Sequence, residues 1–221
     1  LKTGDAGFYL DKQYYTPARS EKDKKTRNKN VLFFNTRFFA GLTSDEEKLR
    51  RDVVKHPELK EYRRGGTRQN NVLPVWAAFS YFEMGTIVML YSYLRGDLRK
   101  EVLNYTYPGN NYKKETTKQM DTWLDAIRNL RNYCAHHSML AGMTSSVVIP
   151  DNRDSSDVLP DNTNLYSRLY ALKKILPQKD GDMLAEELDK LIWKTKLDIY
   201  KMNILPTNWR ALYNKILSLH G

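Results

Sequence analysis

The chain has 221 residues, of which 41% are hydrophobic and 12% aromatic, and its 36 basic and 26 acidic side chains leave a formal net charge of +10. Such a composition excludes wholesale disorder, and the single cysteine excludes both an internal disulfide framework and a multi-cysteine zinc site. The positive balance points to an anionic partner, either nucleic acid or an acidic membrane surface, and the 15 tyrosines suit half-buried and nucleic-acid-facing positions.

Residues 1–42 lack a clear period and are expected to form a basic N-terminal segment packed on a main domain of residues 43–221. Leu1 stands where a start methionine would, so the chain is expected to continue N-terminally. Ser20 to Asn30 (SEKDKKTRNKN) reads as a charged loop. It is either a solvated turn or a phosphate-contacting segment through Lys24, Lys25, Arg27 and Lys29. Val31 to Phe39 is an aromatic run, a strand or the edge of a core helix. Thr43 and Ser44 ahead of Asp45, Glu46 and Glu47 predict a helix start, and Pro57 predicts its end near Lys55.

Lys60 to Asn71 breaks at Gly65-Gly66 and adds Arg63, Arg64 and Arg68 to the basic surface. Val72 to Leu94 has the length of a membrane span but carries Glu83 at its midpoint, where a carboxylate is costly in lipid. The expectation is a soluble chain in which Pro74 opens one long central helix, buried on nearly all sides and bent at Gly85-Thr86. A short helix from Asp97 to Tyr105 follows, then a turn at Pro108 to Asn111, with Lys113 and Lys114 beyond it as further RNA contacts.

From about Thr116 the spacing of Met120, Trp123, Leu124, Ile127, Leu130 and Cys134 predicts a helix with these residues on its core stripe. Residues 141–163 read as a long polar loop. Three further helices are predicted, at about 165–175, 182–201 and 207–219. The fold class is therefore mainly all-α.

The residues that carry chemistry cluster at the end of the helix that starts near Thr116. With Arg131 placed at zero, Arg128 falls at about 60°, Asn132 at about 100° and His136 at about 140°. Histidine can act as base or acid near neutrality, and arginine offers a planar, always-charged fork for phosphate oxygens. Cleavage of RNA by its own 2′-hydroxyl needs those two functions and no metal. A second proton-transfer group would be His137 or the His136 of a second copy. The alternative is a pair of charge caps favoured by the helix dipole. Adjacent histidines diverge by about 100°, which argues against zinc. Cys134 is expected to face inward, as packing rather than as a nucleophile. Glu83 either pairs with a basic residue of the arc or forms a structural ion pair.

Arg131-Asn132-Tyr133-Cys134-Ala135-His136-His137 resembles the Arg-x4-His motif of HEPN ribonucleases, and more closely the "RN-x-C-A-H-H" segment of the abortive-infection (AbiD/AbiF-like) family. Pro74-Val75-Trp76 with Phe82 to Thr86 and Leu90-Tyr91, and Leu205-Pro206-Thr207-Asn208-Trp209, are similar to two other segments of that family. The match spans about residues 72–215. It implies a HEPN-like helical bundle with an N-terminal embellishment, a homodimer through the motif face and metal-independent RNA cleavage in phage defence or a toxin–antitoxin system. Arg131 and His136 would be the catalytic pair and Asn132 a supporting group, with His137, Arg128 and Glu83 secondary. The partners implied are RNA and an antitoxin, in the cytoplasm, with no cofactor and no metal. After the histidines, Ser138-Met139-Leu140 departs from the family's Arg-Leu-Trp. Another class of function, a non-catalytic RNA-binding module, fits the same basic loops. A membrane-active toxin using the 72–94 stretch is a third.

Overall fold

A computed structural model describes residues 4–16, 29–52, 54–60, 62, 72–108, 112, 114–149, 157–196, 198–202 and 204–220. Among these the chain forms eight α-helices and no strand. They are α1 (Lys29–Arg51), α2 (Val75–Phe79), α3 (Met84–Tyr93), α4 (Gly96–Thr106), α5 (Lys114–Ala135), α6 (Leu165–Ile175), α7 (Gln178–Thr195) and α8 (Trp209–Asn214). The chain divides into two compact units, residues 1–102 and 103–221. The fold is all-α, as its patterning indicates.

In the first unit the N-terminal segment, expected as an embellishment, supplies much of the core. Tyr9 and Tyr15 are buried. The Tyr9 hydroxyl donates to the Leu73 carbonyl (2.9 Å), and the Tyr15 hydroxyl donates to the Tyr9 carbonyl (2.8 Å). Tyr9 meets Phe79 and Phe82 edge-on, each at 5.9 Å between ring centres. A phenol lets an apolar ring enter the core while its hydroxyl satisfies a backbone oxygen. Glu46 is buried on α1, where it accepts the Leu73 amide (2.8 Å) and faces Arg50 at 3.5 Å.

Two expectations are corrected here. First, α1 begins at Lys29, not at Thr43. Thr43 lies mid-helix, and its hydroxyl back-bonds to the Phe39 carbonyl (2.8 Å) instead of capping. The Val31–Phe39 run is therefore helical. Second, the 72–94 stretch is not one helix. It breaks between Phe79 and Met84, with Glu83 extended (φ −60°, ψ 145°) as the cap of α3. The break lets Phe79 and Phe82 both reach Tyr9. Trp76 and Met89 are exposed, so the stretch is not buried all round. No helix among the described residues is long and apolar enough to cross a membrane.

The second unit is built on α5 packed against α6. Thr117, Met120, Trp123 and Ala126 form the buried stripe of α5, and α6 is buried over most of its length, including Tyr166 and Tyr170. The limits of α6 match the predicted ones, and Asn164 caps it by accepting the Ser167 amide (3.1 Å). The ammonium of Lys174 lies 5.5 Å over the Trp123 ring and donates to the Leu217 carbonyl. The loop between α5 and α6 is anchored by buried Met143, Ile149, Val158 and Leu159. α7 runs from Gln178 to Thr195 rather than 182–201, because Lys196 turns left-handed (φ 53°) and ends it. α8 is shorter than predicted, six residues in place of 207–219.

α7 is pinned by a buried lysine. Lys173 on α6 is buried, and its ammonium meets the Asp182 carboxylate at 2.5 Å. The hydrogen bond from Lys173 holds the Asp182 carboxyl below the usual carboxylate range. A Cβ added at Gly181 would stand 2.7 Å from the Lys173 Cδ. The lysine cannot swing aside without losing Asp182. Gly181→Ala is therefore expected to destabilise by about 1–2 kcal/mol, with overpacking exceeding the helix-propensity gain. Urea denaturation followed by circular dichroism measures it.

Acid should loosen the same unit. Burial pushes the Asp161 carboxyl up, but the Thr163 amide and hydroxyl, the Asn164 amide and nearby Arg168 outweigh burial and hold it low. A carboxyl depressed on folding stabilises above its unfolded pKa, and the contribution is lost as pH falls through the folded value. Asp161 and Asp182 share this sign. Stability is expected to be level down to about pH 4 and to fall below it, and Asp161→Asn should flatten that fall. Urea midpoints at a series of pH values test this.

Candidate functional site

The site is the C-terminal end of α5. The helical hydrogen bonding persists to His136, whose amide donates to the Asn132 carbonyl (3.0 Å). His137 then turns left-handed (φ 52°). Its amide donates to the Cys134 carbonyl (3.2 Å), and the Ser138 amide donates to the Tyr133 carbonyl (2.9 Å). These two bonds make a Schellman stop with His137 in the position usually held by glycine. Histidine is among the residues that tolerate this conformation best. The second histidine thus ends the helix, and the first is the last residue carried on it.

Arg131, His136 and His137 are exposed, while Asn132 and Arg128 are half-buried. The Arg131 Nη1 donates to the Asn132 Oδ1 (3.2 Å), so Asn132 steadies the guanidinium. Arg128 is turned back onto its own helix, where its Nε and Nη2 donate to the Asp125 Oδ1 at 2.8 and 2.5 Å. Its charge is thereby partly neutralised.

Cys134 is exposed, against the expectation that it faces inward. Ile127 and Leu130 are only half-buried. The physical reason is that the fully buried stripe of α5 ends at Ala126, and beyond it the helix is only partly covered, by contacts such as Asn129 with Arg168 and Tyr133 with the Thr144 carbonyl. The motif therefore sits exposed at a helix end. Glu83 is exposed, and its side chain makes no capping bond on α3.

Of the basic residues expected to contact RNA, Lys24, Lys25, Arg27, Arg63, Arg64, Arg68 and Lys113 lie outside the described residues. Lys29 and Lys114 open α1 and α5, with their side chains outside the description. Among the described residues no group of three or more His, Cys, Asp or Glu is placed to hold a metal.

Sequence reasoning missed Arg168, a fully buried guanidinium on α6. Nothing in its neighbourhood marks it, since it sits among the regular polar positions of a predicted helix. The anchoring of the following loop had a weak signal, the apolar Val147-Val148-Ile149 inside a polar stretch.

No curated protein and no solved structure matches the chain. A family model described as Abi-like protein matches residues 1–141, which includes the whole of α5 and both motif histidines. That match covers well over half of the 221 residues, and the chain belongs to the Abi-like protein family.

Proposed function

We propose that this protein is a metal-independent endoribonuclease with an abortive-infection role, of the HEPN type and the AbiD/AbiF-like group. The observation that carries the reading is the end of α5. There, an exposed guanidinium steadied by Asn132 and an exposed imidazole sit five residues apart on one rigid helix, inside the part of the chain matched to the Abi-like family.

The chemistry is transesterification. The ribose 2′-oxygen attacks phosphorus while a base takes its proton. The bond from phosphorus to the 5′-oxygen breaks while an acid supplies a proton to the leaving oxygen. His136 serves one of these transfers. Arg131 neutralises charge on the phosphorane oxygens. The second transfer falls to the His136 of another copy in a homodimer, or to His137. The dimer reading is supported by the exposure of Arg131 and of Cys134 to His137 at the end of α5. Arg128 and Asn132 are supporting groups in this scheme. RNA is the substrate, and an antitoxin, RNA or protein, is the expected restraint. The proposed location is the cytoplasm.

Incubation of the purified chain with RNA in excess EDTA tests the reading. The expected products carry 2′,3′-cyclic phosphate and 5′-hydroxyl ends. Intact RNA, or cleavage that requires added metal, would reject it. The net charge of +10 supports a second reading, a non-catalytic RNA-binding module, which predicts tight salt-sensitive binding with no new RNA ends.

A further inference from the structure

Arg168 is fully buried, and among the described residues its hydrogen-bond partners are all neutral. Its Nη2 donates to the Val147 carbonyl (2.5 Å), and its Nη1 donates to the Ser167 hydroxyl (2.5 Å) and the Asn162 carbonyl (3.5 Å). Its Nε donates to the Asn129 Oδ1 (3.3 Å) on α5. Asp161 and Asp125 act on it only through space. Burying a cation costs several kcal/mol, and an apolar side chain of similar volume is often at least as stable in such a place. The guanidinium supplies something an apolar residue cannot, a rigid fork that ties three separate stretches of chain together.

Those stretches are α5, the segment that follows the motif, and the segment that leads into α6. The Ile149 amide donates to the Asn162 carbonyl (3.1 Å), so the two loop limbs are also joined to each other. The Tyr133 hydroxyl donates to the Thr144 carbonyl (3.5 Å), which draws the loop onto the motif-bearing turn of α5. Met143 and Ile149 are buried at either end of the stretch, while Thr144 and Ser146 between them are exposed. Asn129 and His136 are seven residues apart and fall within about 20° of one another around α5. The side of the helix that Arg168 grips is the side on which His136 lies.

We infer that Arg168 is a positioning residue that holds the Thr144–Ser146 hydroxyls as a wall beside His136, where they contact the ribose–phosphate backbone of bound RNA. Such hydroxyls donate and accept without regard to base, and they suit a backbone read by shape. The inference rests on the endoribonuclease reading for the identity of the substrate. Binding of uncleavable RNA tests it separately from cleavage.

The experiment uses the full chain and a mixed-sequence 12-nucleotide RNA with 2′-O-methyl groups, followed by fluorescence anisotropy, alongside cleavage of the unmodified RNA. Arg168→Met, which keeps the volume and loses the fork, is expected to weaken binding and raise KM about tenfold, with kcat changed less than about threefold. Arg168→Lys keeps the charge and should not restore binding. Amide hydrogen exchange from Met143 to Ile149 should quicken in both. Should Arg168→Met fold poorly, the exposed double variant Thr144→Val/Ser146→Ala is expected to show the same KM increase at unchanged stability. Unaltered RNA affinity in the double variant would overturn the inference, as would a loss confined to kcat in Arg168→Met. Wild-type binding without cleavage would reject the endoribonuclease reading and leave the wall supported if the double variant still bound about tenfold less tightly. A wild-type chain that bound no RNA would reject both.

Discussion

His136→Ala is expected to slow RNA cleavage about 10²–10⁴-fold, the range lost when a positioned proton-transfer group is removed. The variant should fold as the parent does. The imidazole is exposed and makes no described side-chain bond, and the amide bond from residue 136 to the Asn132 carbonyl survives an alanine. Arg131→Lys separates a second function of the same site. Lysine keeps the charge but loses the planar fork, so the Asn132 contact and paired contacts to phosphate oxygens go together. His137→Gly is the informative control. Glycine is at ease in the left-handed position that ends α5, so the helix stop should persist or tighten. Cleavage retained in His137→Gly and lost in His136→Ala assigns the chemistry to residue 136. The reverse pattern would overturn the assignment. Rates are read by gel with purified protein and end-labelled RNA, with circular dichroism as the folding check.

The parts of the fold that were legible are those where local pattern and burial agree. In α6 a capping asparagine, a steady helical period and Pro177 just beyond the end all point the same way, and the predicted limits match. The motif end of α5 was legible for the same reason, since spacing alone places Arg131, Asn132 and His136 around one helix. The Cys134 prediction failed because periodicity reports a stripe but not how far a neighbour covers it. The stripe continues in sequence past Ala126, while full burial does not. The 72–94 stretch failed differently. Its apolar run has no local stop at Ser80–Glu83, and the broken path packs Phe79 and Phe82 on Tyr9, an aromatic partner remote in sequence. Arg168 was illegible because nothing local to a helical arginine says that it will be buried with carbonyls from two loop limbs.

The stability prediction with the largest effect is Trp123→Ala, expected to cost about 3–5 kcal/mol. Trp123 is 1% exposed and stands at the middle of the buried stripe of α5. Its ring is also the surface over which Lys174 lies at 5.5 Å, and the Lys174 ammonium holds the Leu217 carbonyl of the C-terminal segment at 3.0 Å. Truncation therefore leaves a cavity and removes the apolar seat of a half-buried cation. Trp193→Ala is the matched control. Trp193 is 83% exposed on α7, and its removal is expected to change stability by no more than about 0.5 kcal/mol. Urea titrations of the two variants, followed by circular dichroism, give the comparison directly. Equal losses would mean that the α5–α6 packing is not what holds the second unit together. A loss specific to Trp123 ties the site to this packing, since the motif lies at the end of the helix that Trp123 anchors and no fully buried residue of that helix follows Ala126.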